Sequence, residues 1–501
     1  MGRQRRWAVL VFALMGSVGF LLYGCGGKGS SNTTPPPPVP QIQNINSSTT
    51  PTSPVGLPIE INGSGFQAAP GKVTFSQGST SVDVTPASSA WSDTGVVAVV
   101  PATLTAPGTV TVTVVTSGGT SNKVTVNLVG TITFNPSAMG WGTTIALPAA
   151  RTGLRAVAVP GATSTTAFAV VTGGFDGSKN TNTVWAINLN QDGTVGSTTN
   201  TTWTTITTNP LPTTLAHHAI AEADDTNSIV PVGKRYIYVI GGQVNFTDVA
   251  GGTNTVYIAS VDSTTGAVST WTASTTTLPK SLFGLSATVH NGYLYVAGGL
   301  DTTGTPVRDV YSAPINSDGT VGAWTTSSNS LPAATSFGNV VVFGGILYYI
   351  DGDPNPSILP NNQSVGGKDV YFAGALRGVV GVWTLNAHST IHDRAKGVLF
   401  TAYGQMIEGE GVYTGSVGSG EMESSSVNAQ NASNAALNSW SGLTGSQAPK
   451  ANVYNAGSLT SPLFAPTTNG PRFLILGGQT LTGTTGLGGA LSSAVYYNTL
   501  P

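Results

Sequence analysis

Two kinds of apolar pattern run along this chain. Near the N-terminus one unbroken run extends from Trp7 to Gly24 behind Arg3, Arg5 and Arg6. Beyond it, apolar residues come in short alternating stretches such as Leu57-Pro-Ile59-Glu-Ile61, Val96-Val-Ala-Val-Val100 and Tyr236-Ile-Tyr-Val-Ile240, divided by Gly, Pro, Ser, Thr, Asn and Asp. Period two at this length predicts strands with one buried face, and the turn residues between them predict hairpins. With 65 Gly and 30 Pro in 501 residues, long helices and coiled coils are excluded, because both residues break a helix interior.

Residues 41–129 read as a β-sandwich from their short strands at regular spacing. Gly63-Ser64-Gly65-Phe66 places two glycines where a strand turns sharply and an aromatic returns to the core. Val100-Pro101 ends a strand, and Gly119-Thr120-Ser121-Asn122 precedes the last one. In these features the segment resembles the immunoglobulin-like IPT/TIG family. In bacterial surface proteins such modules act as spacers or binding platforms, so the resemblance implies no chemistry.

From residue 130 to 501 the pattern repeats. Trp141, Trp203, Trp271, Trp324, Trp383 and Trp440 recur about every 60 residues. A Leu-Pro turn follows most of them, and then an apolar strand runs into a glycine doublet: Gly173-Gly174, Gly241-Gly242, Gly298-Gly299 and Gly477-Gly478. In the fourth repeat the doublet becomes Asp351-Gly352, and in the fifth it decays near Glu408-Gly409-Glu410-Gly411. A third strand and a hairpin of the type Asn316-Ser-Asp318-Gly319 complete each unit. Six four-stranded units with one Trp and one Gly-Gly each resemble a kelch-type β-propeller of the galactose-oxidase-like variety. The fold expected is therefore all-β, an immunoglobulin-like sandwich followed by a six-bladed kelch-like propeller. The sixth unit stops after its third strand at Ala494–Asn498. Its missing outer strand is expected from the segment between Thr131 and Trp141, which sews the ring shut.

The basic N-terminus and apolar run read as an export signal over residues 1–24. Leu22-Tyr23-Gly24-Cys25 looks like a bacterial lipobox, with Cys25 the lipidation site, an uncleaved transmembrane anchor being the alternative. Gly26 stands where Asp signals inner-membrane retention, which favours the outer membrane or cell surface. Residues 25–40 then form a tether, Gly/Ser-rich and then Pro-rich and stiff.

Composition narrows the chemistry. Only 8% of residues are charged and the net charge is −2, so the chain lacks the clustered Lys and Arg that nucleic acid requires. Cys25 is the one cysteine, which excludes an internal disulfide, a cysteine metal cluster and the Cys–Tyr cofactor of copper radical oxidases. No cofactor is expected. Arg151, Arg155, Arg235, Arg308, Arg377, Arg394 and Arg472 supply guanidinium groups enough for a sialidase-like site, yet no Phe-Arg-Ile-Pro motif accompanies them. His388 and His392 have the i,i+4 spacing of a helical zinc site but lie where other repeats turn, and His217-His218 lie in the matching turn of repeat two. Both pairs are expected as ordinary loop residues. Asp351-Gly-Asp353-Pro-Asn355 opens like a calcium loop, but Pro356 and Asn362 stand where an EF-hand needs Gly and Glu, so a substituted Gly-Gly turn is expected. Glu408, Glu410, Glu421 and Glu423 hold four of the chain's six glutamates and are expected as solvated loop charge.

These readings lead to a non-catalytic, lipid-anchored envelope protein, held to the membrane by its N-terminal lipid, that binds an extracellular glycan or protein through propeller loops. A secreted carbohydrate-active hydrolase or lyase and a structural spacer of the envelope are the alternatives.

Overall fold

The computed structural model describes residues 36–499, except 47–50, 87, 130–133, 164, 198–200, 225–226, 229, 246–250, 344, 355–366, 403, 414–420, 428–435, 444–455, 460–472 and 481–488. The export signal, Cys25, most of the tether, Thr131, Asn355, Pro356, Asn362 and Arg472 lie outside the described residues.

The first domain is a sandwich of two sheets. One sheet pairs Gln41–Ile45, Pro58–Ser64 and Gly95–Val99; the other orders Thr52–Pro54, Val124–Val129, Gly108–Thr116, Lys72–Gln77 and Thr80–Val84. Alternate residues of both sheets, among them Ile59, Ile61, Val73, Phe75, Val112 and Val126, fill one apolar core. Gly65 takes a left-handed φ of 71° at the turn, which brings Phe66 fully inside, 6.5 Å from Trp91. Gly63 has no room for a Cβ, which would sit 1.9 Å from the Gln41 carbonyl oxygen.

After it come six sheets, each built on four antiparallel strands, which run outward in chain order in the first five. Their innermost strands are Arg155–Pro160, Ala219–Ala223, Ser286–His290, Asn339–Phe343, Val398–Ala402 and Ala456–Leu459. Each of these touches the next, and the last touches the first, so the sheets are blades around an axis. Six apolar clusters fill the six wedges between blades, and each contains one of the repeat tryptophans: Trp203, Trp271, Trp324, Trp383, Trp440 and Trp141. A ring is the stable solution because a lone blade leaves both sheet faces wet. The expected seam is present. Gly140–Thr143 pairs antiparallel with Val495–Thr499, Trp141 opposite Asn498, as the outer strand of blade 6.

The glycine doublets stitch neighbouring blades. The N–H of the second residue donates to a carbonyl of the next blade: Gly174 to Leu215 at 2.8 Å, Gly242 to Leu282 at 2.8 Å, Gly299 to Thr335 at 2.9 Å, Gly352 to Arg394 at 3.0 Å and, across the seam, Gly478 to Arg151 at 2.8 Å. The first residue is left-handed throughout, and a Cβ on Gly173 or Gly241 would approach that neighbouring carbonyl to 2.4 or 2.6 Å. Both constraints select glycine.

The sandwich packs on the turns that join the first and second strands of blades 3, 4 and 5. Asn291 Nδ2 donates to Glu60 Oε1 at 2.9 Å and to Asn62 Oδ1 at 3.2 Å, and His290 contacts the buried Glu60 carboxylate. Ala90 and Val97 join Ile346, Leu376 and Met406 in a shared apolar core. A glycine at 345, with φ 77°, lets blade 4 turn directly against Val97 and Glu60.

Candidate functional site

Opposite the sandwich, at the end of the propeller where the innermost strands begin, five left-handed residues encircle the axis. Among the described residues they are Gly153, His217, Gly284, Phe337 and Lys396, with φ between 53° and 63°, each two residues before its strand. Their backbones form a chain of hydrogen bonds from blade to blade. His217 N–H donates to Gly153 O at 2.9 Å, Gly284 to His217 at 2.8 Å, Phe337 to Gly284 at 2.7 Å and Lys396 to Phe337 at 3.1 Å. Small and large residues alternate for a steric reason. A Cβ on Gly153 would lie 2.5 Å from the His217 ring, and one on Gly284 2.9 Å from the Phe337 ring. The large members meet on the axis: His217 stands edge-on to Phe337 at 5.3 Å, and Lys396 Nζ lies 5.5 Å from the Phe337 ring centre.

Beside this ring the channel widens into a cavity of about 170 Å³ whose wall includes Arg155, Ser286, Asn339, Phe337 and Lys396. Enclosure pulls the Arg155 guanidinium down to about 10, so it keeps its charge at neutral pH. His217 and His218 are buried here, and contrary to the loop reading they belong to the ring and the adjoining wedge. Burial first, and then Arg155, push His217 well below its ordinary value and His218 to about 3. Both rings are therefore neutral, and His218 Nε2 shares a hydrogen bond with Thr172 Oγ1 at 2.8 Å.

The wedge between blades 4 and 5 holds most of the buried charge. Asp351, Asp353, Arg394, Lys396, Glu408, Glu410 and Glu423 are all buried, which corrects the expectation of solvated glutamates; Glu421 of the four is half-buried, its side chain 41% exposed. Arg394 is the hub. Its Nη2 lies 3.2 Å from Glu423 Oε1, its Nε lies 3.7 Å from Glu408 Oε1, and its Nη1 donates to the Glu410 carbonyl. Glu423 also accepts from the Ile391 N–H at 2.6 Å, and His392 bridges Glu423 and Glu421 at 3.3 Å each. Lys396 Nζ lies 3.7 Å from Asp353 Oδ2. Asp351 accepts from Thr390 Oγ1 at 2.8 Å and hydrogen-bonds Glu408. Two carboxyls can do so only by holding a proton between them. Burial raises Asp351 to about 8; burial and then the Asp351 charge raise Glu408 well above the carboxylate range.

Register explains how a repeat accommodates this. Asp351 and Glu410, with φ 59° and 60°, occupy the first position of the doublet, where Gly173, Gly241, Gly298 and Gly477 take 60° to 65°. The doublet of blade 5 is thus Glu410-Gly411, with Glu408 lying inside the strand Gln405–Gly409 where Val239 and Val296 stand in blades 2 and 3. Glu423 replaces Tyr257 and Tyr311, and Arg394 replaces Leu215 and Leu282. Aligned repeats, read position by position, would have exposed this block of substitutions; the glutamate count alone did not.

Other sequence candidates separate. His388 Nδ1 lies 3.2 Å from Ser439 Oγ while His392 faces the glutamates, and the segment is not helical. Among the described residues no group of His, Cys, Asp and Glu is arranged to hold a metal. Asp318 accepts from Thr320 N–H at 3.0 Å and Oγ1 at 2.6 Å, a turn-closing role. The repeat tryptophans and glycines are structural.

The architecture is that of a two-domain all-β protein, an immunoglobulin-like sandwich docked on a six-bladed propeller. Residues 40–127 match the family model described as IPT/TIG domain. No curated protein matches the chain. Among solved structures, one titled "Structure of YjhT" aligns with 70% of this chain and 97% of that chain at 14% identity and a TM-score of 0.46. That likeness is too distant to bear on fold or chemistry. Among the described residues no helix is long and apolar enough to cross a membrane.

Proposed function

We propose that this chain is a non-catalytic protein of the bacterial cell envelope, anchored by lipid on Cys25, that binds a glycan or a protein through the loops of its propeller. The observation that carries the reading is the docking of the sandwich. It occupies the first-turn side of blades 3–5 through Glu60, Asn62 and Val97, so the tethered domain holds the propeller from one end. The doublet loops and the axial ring stand at the other end, on rigid blades, as recognition loops require. The buried charges of blades 4 and 5 support the non-catalytic part. The proton-sharing pair Asp351 and Glu408 is closed off from solvent, whereas glycoside hydrolysis needs two carboxyls that reach the substrate.

Two experiments test the proposal. Cys25→Ser is expected to move the protein from the membrane to the soluble fraction, and unchanged membrane retention overturns the lipid anchor. Presented to a glycan panel and to envelope extracts, the protein is expected to bind one component saturably without altering it. Turnover replaces the reading with a carbohydrate-active enzyme, and absence of both leaves a spacer.

A further inference from the structure

The axial cavity contains a cation, Arg155, that no ion pair among the described residues neutralises. Among the described residues Arg155 makes no ion pair; its guanidinium donates one hydrogen bond, from Nη1 to the Leu154 carbonyl at 3.0 Å. The neighbouring Lys396 is paired with Asp353, and no carboxylate lines the cavity wall. Asn339, across the channel, adds a side-chain amide that spends no hydrogen bond on the described protein, whereas Ser286 accepts from the Val340 N–H at 2.9 Å. Arg155 and Asn339 are both half-buried, so solvent reaches them from the channel. The volume compares with cavities of about 150 Å³ that admit a benzene-sized molecule. In a chain this poor in charge, the two buried cations described on this face, Arg394 and Lys396, each have a carboxylate beside them.

We propose that this cavity is an oxyanion site in which the Arg155 guanidinium and the Asn339 amide hold a carboxylate. A guanidinium presents two parallel N–H groups that match a planar carboxylate, and such charge-assisted pairs are the strong ones in an enclosed, low-dielectric setting. The size of the cavity restricts the ligand to a small free acid or the carboxylated end of a sugar. His217 and His218, held neutral, add no competing positive charge and leave Arg155 as the attracting group. The site goes beyond the loop-borne recognition proposed above and stands whether or not a macromolecule binds the loops.

Calorimetric titration of the full chain in detergent tests it with sodium acetate, sodium glucuronate, inorganic phosphate and neutral glucose. Saturable binding of acetate or glucuronate, with glucose inert, is expected. Glucuronate bound more tightly than acetate assigns a sugar acid, and the reverse assigns a free small acid. Arg155→Gln is expected to weaken binding roughly tenfold or more. Asn339→Asp, which keeps side-chain size and gives Arg155 an internal carboxylate, is expected to abolish it with an unchanged circular dichroism spectrum, so a misfolded Arg155 variant does not decide the matter. No saturable carboxylate binding, phosphate bound in preference to both acids, glucose bound as well as glucuronate, or Asn339→Asp binding like the parent overturns the proposal.

Discussion

The wedge between blades 2 and 3 and the wedge between blades 4 and 5 do the same structural task with opposite chemistry. In the first, Leu282 and Leu285 pack against Ile240, Val256 and Tyr238, and the doublet is Gly241-Gly242. In the second, Arg394 takes the place of Leu282, Glu423 the place of a tyrosine, Glu408 that of a valine, and Asp351 that of a glycine. Backbone geometry is retained: the doublet residue still donates across the seam, at 2.8 Å in one wedge and 3.0 Å in the other. The propeller thus specifies which positions are buried and which φ they take, but it leaves their chemistry open provided that charges arrive together. A single buried ion costs several kcal/mol, whereas a set that pairs and shares protons offsets most of that cost.

The largest effect expected is from removing the hub. Arg394→Met fits the volume but takes the guanidinium away from Glu408 and Glu423, and is expected to lose about 3–5 kcal/mol in urea unfolding. Leu282→Ala, its counterpart in the apolar wedge, is expected to lose about 2–5 kcal/mol through a cavity. The two are separated by pH: the Arg394→Met loss, which is electrostatic, is expected to change with pH, and the Leu282→Ala loss, which is a cavity, is not. A pH-independent Arg394→Met deficit would mean that the network contributes packing alone.

A smaller effect follows from titration. Unfolded, Asp351 ionises near 3.8; folded, it keeps its proton to about 8. Stability from this group is therefore lost as pH rises through that interval. The histidines act in the opposite sense, since the unfolded chain protonates them below 6.5 while folded His218 resists to about 3, so their share is lost as pH falls below 6.5. The two slopes oppose one another below 6.5, and above it only the carboxyls act. Between pH 6.5 and 8 stability is expected to fall by about 2 kcal/mol per retained proton. Urea midpoints that stay level across this range would remove the shared proton. Smallest is Glu410→Gly, which restores the residue of the other blades. It relieves a left-handed glutamate and removes one carboxylate, so stability is expected within about 1 kcal/mol of the parent. A loss as large as that of Arg394→Met in the same urea assay would make Glu410 a member of the hub.

Much of this architecture was legible in the sequence because it rests on local, repeated constraints. The doublets announce a left-handed turn against a neighbouring carbonyl, the tryptophans announce the wedges, and a last unit lacking an outer strand announces the closing seam. The site was less legible. Glu408, Glu410 and Glu423 look like loop charge because their partners, Arg394 and Asp351, are 14 to 72 residues away and belong to other strands. His217 looks like a turn residue because its neighbours on the axis, Gly153 and Phe337, come from other blades.

The amino-acid sequence alone determined that this protein is all-β and how many blades it has, since hydrophobic period and turn chemistry act over a few residues and recur. Only the tertiary structure decided which charges are buried and how they pair. Ring closure brings the starts of the innermost strands to one axis, and there desolvation and pairing depend on residues from several blades at once.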